Sequence, residues 1–270
     1  MCSRNRIIIR VKLEIFGCSG GIGKGLKTTT FLLDDTLLID AGTGVELLTM
    51  EQMLKIRTVV ISHAHVDHIV GLPLMLATIY DQHQHPIDVY ALPDVIQALQ
   101  AHIFNWTIWP DYTTLPEYNP ILKLHALNVS DTLQTPAHHI TALPAAHPTP
   151  TIGFLVSDGQ RRFVFTGDTG CNDALWPILN SSPPDLLIID VSFTDDVQEL
   201  ARLSGHLTPS QLVDQLGQLN QPCPVRITHL KPGFEQAIMQ RCQHLLPDWD
   251  LDALRQGDCF RLQAIEPCPD

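Results

Sequence analysis

The chain has 270 residues, with 17 Lys and Arg against 29 Asp and Glu and a formal net charge of −12. That balance argues against a partner with a long phosphate backbone, whose binding leans on Lys and Arg. A hydrophobic share of 44% and a mean hydropathy of +0.07 are ordinary for an enzyme with a real core. One α/β domain over residues 1–270 is expected. Arg10 interrupts the opening apolar run after Ile7, Ile8 and Ile9, so neither a secretion signal nor a membrane span is expected. Seven scattered cysteines without a CxxC pair point to free thiols in a reducing cytoplasm.

Short apolar runs predict strands over 11–16, 29–33, 36–39, 58–61, 87–90, 121–125, 139–143, 152–157, 162–166, 186–189, 225–228 and 259–262. Helices are predicted over 68–80, 93–104, 172–179, 209–219 and 234–244. Thr208-Pro209 combines a capping Thr with Pro at the first helical position. The proline-rich stretch 144–150 is expected to be a stiff loop. Five of the strands end at or next to polar residues: Asp40, the run beginning at Ser62-His63, Asp168, Asp190 and His229. Ligand sites in α/β proteins lie beyond the carboxyl ends of strands, so these residues are expected to converge on one cleft.

The run Ser62-His63-Ala64-His65-Val66-Asp67-His68 holds four metal-capable side chains. Three imidazoles and a carboxylate this close need partners, and divalent ions would supply them. His63 and His65 are two apart and can face one ion from an extended loop. Asp67 and His68 follow as a helix starts and can reach a second. His147, on its proline-held loop, can complete the first set, and His229 the second. Asp168, in the turn Thr166-Gly167-Asp168-Thr169-Gly170, has two oxygens and can bridge both ions. This nitrogen-rich donor set favours zinc, and iron or manganese would fit it too.

The order HxHxDH, a lone His, a Gly-Asp turn and a late Thr-His resembles the metallo-β-lactamase superfamily. The resemblance implies a four-layer αββα sandwich with a two-metal site on one edge. It implies one ion at His63, His65 and His147, another at Asp67, His68 and His229, Asp168 as the bridge, and Asp40 bracing the metal loop from behind.

The leaving group narrows the chemistry. A ribose oxygen leaving a phosphodiester needs a proton, whereas a thiolate does not. His206, in Gly205-His206-Leu207-Thr208, can supply it, with Asp190 holding its other ring nitrogen. Asp190-x-Ser192-Phe193 followed by Gly205-His206-x-Thr208 resembles the acid motifs of the tRNA-processing branch, where the acidic partner is usually Glu.

Gly17-Cys18-Ser19-Gly20-Gly21, the segment from His102 to Asp111, and Thr228-His229-Leu230-Lys231-Pro232 narrow the resemblance further, to class II cyclic-nucleotide phosphodiesterases. That resemblance implies hydrolysis of 3′,5′-cyclic nucleotides to 5′-nucleotides and, as an open possibility, a homodimer. A hydroxide bridging the metals would attack phosphorus in line with the 3′ oxygen, and His206 would protonate that oxygen. Asp67, Asp190 and His206 are the expected catalytic groups, and Asn105, Trp106 and Trp109 the candidate substrate contacts. Two rivals share the metal ligands. A ribonuclease Z-like tRNA endonuclease would want a basic arm that this sequence lacks, and a glyoxalase II-like thioesterase has no need of His206.

Overall fold

A computed structural model describes residues 11–262, apart from the side chain of Leu262. Two seven-stranded sheets form its centre. The first uses β1 (Val11–Gly17), β2 (Thr30–Leu33), β3 (Leu37–Ile39), β4 (Thr58–Val60), β5 (Ile87–Ala91) and β6 (Leu122–Ala126). The second uses β7 (Thr132–Gln134), β8 (His139–Pro144), β9 (Ile152–Ser157), β10 (Arg162–Phe165), β11 (Leu186–Asp190), β12 (Val225–Thr228) and β13 (Leu251–Ala253). The last strand, β14 (Cys259–Leu262), returns to pair with β1. Each sheet is antiparallel in one half and parallel in the other. The parallel halves are β3-β4-β5-β6 and β10-β11-β12-β13.

The eight α-helices among the described residues are α1 (Met50–Lys55), α2 (Val66–Ile69), α3 (Gly71–Ile79), α4 (Pro93–His102), α5 (Leu175–Ser181), α6 (Gln198–Ser204), α7 (Pro209–Leu216) and α8 (Glu235–Leu245). No helix is long and apolar enough to cross a membrane among these residues.

Three separate apolar cores show the layering. One joins α3 and α4 to the first sheet through Leu72, Leu76, Leu99, Leu38 and Val59. Another joins α5, α7 and α8 to the second sheet through Trp176, Leu212, Ile238, Leu187 and Ile227. The third lies between the sheets, where Phe31 meets Phe165 edge-on at 5.0 Å between ring centres. The four layers are therefore helices, sheet, sheet and helices, as expected. Strand β11 shows why the pattern works. Every residue from Leu186 to Asp190 is buried. Leu186 and Ile188 enter the inter-sheet core while Leu187 and Ile189 enter the helix-facing one, the two-residue alternation of a strand covered on both faces.

The predicted helix over 68–80 is divided. Val70 separates α2 from α3, because the backbone there bonds outside the helix. Ala41 N donates to the His68 carbonyl at 2.8 Å, and Gly71 N donates to the Ala41 carbonyl at 2.7 Å. A Cβ at Gly71 would collide with the Gly42 carbonyl, so glycine is required where the two segments meet. Helices α1 and α6 and strands β7 and β13 were not expected from the sequence. Helix α1 nonetheless carries a complete capping box, Thr49 with Gln52.

Candidate metal centre

The parallel halves deliver the polar residues to one edge. Asp40 follows β3, the histidine run follows β4, Asp168 follows β10, Asp190 ends β11, and His229 follows β12. Asp40 and His229 both take left-handed backbone, with φ of 54° and 62°. That conformation is uncommon away from glycine. Backbone bonds hold each in place, from Asp40 N to the Val60 carbonyl at 2.9 Å and from His229 N to the Cys18 carbonyl at 2.8 Å.

Three overlapping donor groups result, one of them Asp168, His206 and His229, and the other two follow the expected ligand sets. His63, His65, His147 and Asp168 offer atoms that all lie within 4.8 Å of one another, and so do those of Asp67, His68 and His229. Asp168 Oδ2 joins the two groups: it lies 3.6 Å from His63 Nε2, 3.5 Å from His68 Nε2 and 3.3 Å from His229 Nε2. These separations are at or beyond the long end for hydrogen bonds. They match the spacing of ~3.4 Å between two ligand atoms on a tetrahedral ion with bonds of ~2.05 Å. The buried Nε2 atoms of His63 and His68 have no hydrogen-bond partner. An imidazole nitrogen left so costs about 1–3 kcal/mol, and a cation in each donor group would engage one of them. The donor set therefore fits divalent metal ions.

The outer hydrogen bonds aim these nitrogens. Asp40 Oδ2 takes the Nδ1 proton of His68 at 2.7 Å and the hydroxyl of Ser62 at 2.7 Å. With its hydrogen committed to Asp40, Ser62 Oγ accepts from His63 Nδ1 at 3.0 Å. Both rings thus present Nε2 to the cluster. His147 donates Nδ1–H to the Gly205 carbonyl at 3.0 Å and also presents Nε2. His65 is reversed. Its Nε2 meets Thr149 Oγ1 at 2.9 Å, and its Nδ1 lies 3.5 Å from His147 Nε2.

Charge is arranged for cations. Burial pushes His63 well below the ordinary histidine range and lowers His65 and His147 as well, keeping them in the neutral form that binds metal. Burial would also lower His68, but the charges of Asp168 and Asp40 outweigh it and raise this ring well above the ordinary histidine range. Burial would raise Asp67 and Asp168, yet contact with His229 and His68 overrides it and holds both carboxyls well below their usual range.

His206 lies between the two donor groups. It meets His147 edge-on at 5.2 Å and stacks on His229 at 5.1 Å between ring centres. Its exposure is 6%. Asp190, although shorter than Glu, reaches its Nδ1 at 2.6 Å, leaving Nε2 as the free ring nitrogen. Burial would lower His206, but the charge and hydrogen bond of Asp190 outweigh that and raise it. Gly205, which precedes it, has φ +70° and lies against Pro148 and His147, where a Cβ would clash. Gly205→Ala is therefore expected to lower the melting temperature and to displace His147. The left-handed strain alone costs about 1–2 kcal/mol, and thermal unfolding with metal titration checks both effects.

The candidate substrate segment is built differently. Asn105 Oδ1 accepts from the backbone of Thr107 and Ile108 at 2.9 Å each and so closes its own turn. Trp109 packs on the first core, while Trp106 is 64% exposed. Among the described residues, no hydrogen bond or ring pair joins these three to the histidines.

A family match bears on the same site. The beta-lactamase superfamily domain matches residues 35–229, a span that holds every candidate ligand. The chain belongs to that superfamily. A member from Yersinia pestis, a probable 3′,5′-cyclic-nucleotide phosphodiesterase, is 30% identical over 238 residues, covering 78% of this chain and 66% of that protein. This chain thus spans about two thirds of the Yersinia relative. The 3′,5′-cyclic-nucleotide phosphodiesterase of Aliivibrio fischeri is 28% identical over 275 residues, covering 82% of this chain and 81% of that one. The structure of unliganded yeast PDE1 superposes with a TM-score of 0.81 at 19% identity, over 94% of this chain and 100% of that one. Ribonuclease Z of Haloarcula marismortui is a more distant superfamily relative, at 21% identity.

Proposed function

We propose that this chain is a metal-dependent phosphodiesterase that hydrolyses 3′,5′-cyclic nucleotides to 5′-nucleotides. The observation that carries the reading is the buried Asp190–His206 pair set between the two donor groups. Thioester hydrolysis has no use for it, because a thiolate leaves unprotonated, whereas a ribose 3′ oxygen cannot leave without a proton. The naming of the Yersinia and Aliivibrio relatives supports the same substrate class.

Two divalent ions, zinc by donor chemistry, would be held by His63, His65 and His147, by Asp67, His68 and His229, and by Asp168 in common. Such ions acidify bound water and neutralise charge on phosphoryl oxygens. The protein's own groups do the rest. Asp40 and Ser62 fix which nitrogens face the cleft. Asp190 keeps the proton on His206 Nδ1 and leaves Nε2 to carry a second one to the 3′ oxygen. The exposed ring of Trp106 is the candidate platform for the base.

Elemental analysis followed by product identification on 3′,5′-cAMP, 3′,5′-cGMP and 2′,3′-cAMP tests the reading. 5′-AMP from 3′,5′-cAMP is expected, and metal-loaded protein that releases no 5′-nucleotide from either 3′,5′ substrate refutes it. The ribonuclease Z relatives keep tRNA cleavage as the second reading. The net charge of −12 weighs against it, and a strongly salt-dependent tRNA complex would favour it. Chelation is expected to lower the melting temperature by several degrees and zinc to restore it, because His63 Nε2 and His68 Nε2 lose their partner. Differential scanning calorimetry reads this without any substrate.

A further inference from the structure

Asp190 holds more than the acid. Its Oδ2 takes Nδ1–H of His206 at 2.6 Å, and its Oδ1 takes the hydroxyl of Ser192 at 2.6 Å. Ser192 Oγ in turn lies 2.9 Å from His229 Nδ1. A hydroxyl has one hydrogen. Its other oxygen neighbour, the His229 carbonyl at 2.8 Å, is also an acceptor only. The ring must therefore donate to the hydroxyl, which turns His229 Nε2 toward Asp67 and Asp168, each at 3.3 Å. Asp190 and Ser192 are fully buried, and water does not compete with this chain of bonds.

The first half of the molecule repeats the arrangement. Asp40 binds one ring directly, that of His68, and a second through a serine, that of His63 through Ser62. The difference lies in what the carboxylate holds directly. Asp40 holds a metal-ligand ring, whereas Asp190 holds the proton donor. From this we infer that Ser192 is a positioning residue that makes His229 and His206 one mechanical unit. With the hydroxyl in place, Asp190 has one oxygen for each ring. Without it, His229 Nδ1 is left beside Oδ1 at 3.9 Å and competes with His206 for the same carboxylate. The inference rests on the proposed phosphodiesterase reading for its substrates but not for its metal readout.

The experiment compares Ser192→Ala with Ser62→Ala. Each is expected to weaken zinc binding about 10–100-fold, measured by competition with a chromophoric chelator. With zinc saturating, Ser192→Ala should still turn over 3′,5′-cAMP at least tenfold more slowly while keeping bis-p-nitrophenyl phosphate turnover, whose leaving group needs little acid. Ser62→Ala should keep the wild-type ratio between the two substrates. Ser192→Cys keeps the volume but bonds weakly; it should behave as Ser192→Ala does and guards against a folding defect. Wild-type zinc affinity in both Ser192 variants, or a substrate ratio in them matching Ser62→Ala, overturns the inference. If the wild-type protein does not hydrolyse 3′,5′-cAMP, the proposed function falls, and the zinc affinities of the Ser192 variants alone decide whether Ser192 positions His229.

Discussion

His206→Ala is expected to lower turnover of 3′,5′-cAMP by about 10²–10⁴-fold, the range for losing a placed general acid. Bis-p-nitrophenyl phosphate should lose less than about tenfold, since a nitrophenolate leaves without protonation. The contrast follows from position. His206 touches one ligand ring from each donor group but receives its own support from Asp190, so its removal spares both sets of ligands. Equal losses on the two substrates would remove the acid role and make His206 a wall of the metal site.

Asp168→Ala should behave in the opposite way, with bound metal and turnover of both substrates falling together. One oxygen of Asp168 faces Nε2 of His63, His68 and His229, so its loss removes a candidate ligand from both donor groups at once. Losing a residue that orients a ligand costs about 10–100-fold. Losing the shared ligand should exceed that and reduce turnover by ~10³-fold or more. Elemental analysis after desalting, alongside both assays, checks it. Full metal content with more than a tenth of the activity would show that Asp168 is not the shared ligand.

Much of this site is legible in the sequence because chemistry-bearing residues follow apolar runs. His63, His65, Asp67 and His68 announce themselves by spacing, while Asp168, Asp190 and His229 are found by the strands that end at them. Ser62 and Ser192 are not, as roles: a buried serine has no periodicity, and its part depends on which carboxylate folds against it. The division of the helix at Val70 is equally hidden, since the bonds that interrupt it come from Ala41, on another strand's end. Helix α1 is a different case. Thr49 and Gln52 carry an N-terminal signature three residues apart, but six residues are too few to show a helical period. Asn105 shows the limit of reading by residue type, because its amide oxygen is used by its own turn.

The layering carries one more consequence. Each donor group draws on both sheets: His63 and His65 lie against His147 and Asp168, and Asp67 and His68 against His229. Ions held there would act as rivets between the two halves, and the aromatic contact of Phe31 with Phe165 would share that task from within. By thermodynamic reciprocity, whatever the inter-sheet core contributes to metal affinity, metal returns to sheet alignment. A cavity cut at Phe165, buried in the inter-sheet core, should therefore appear as weaker zinc binding as well as a lower melting temperature.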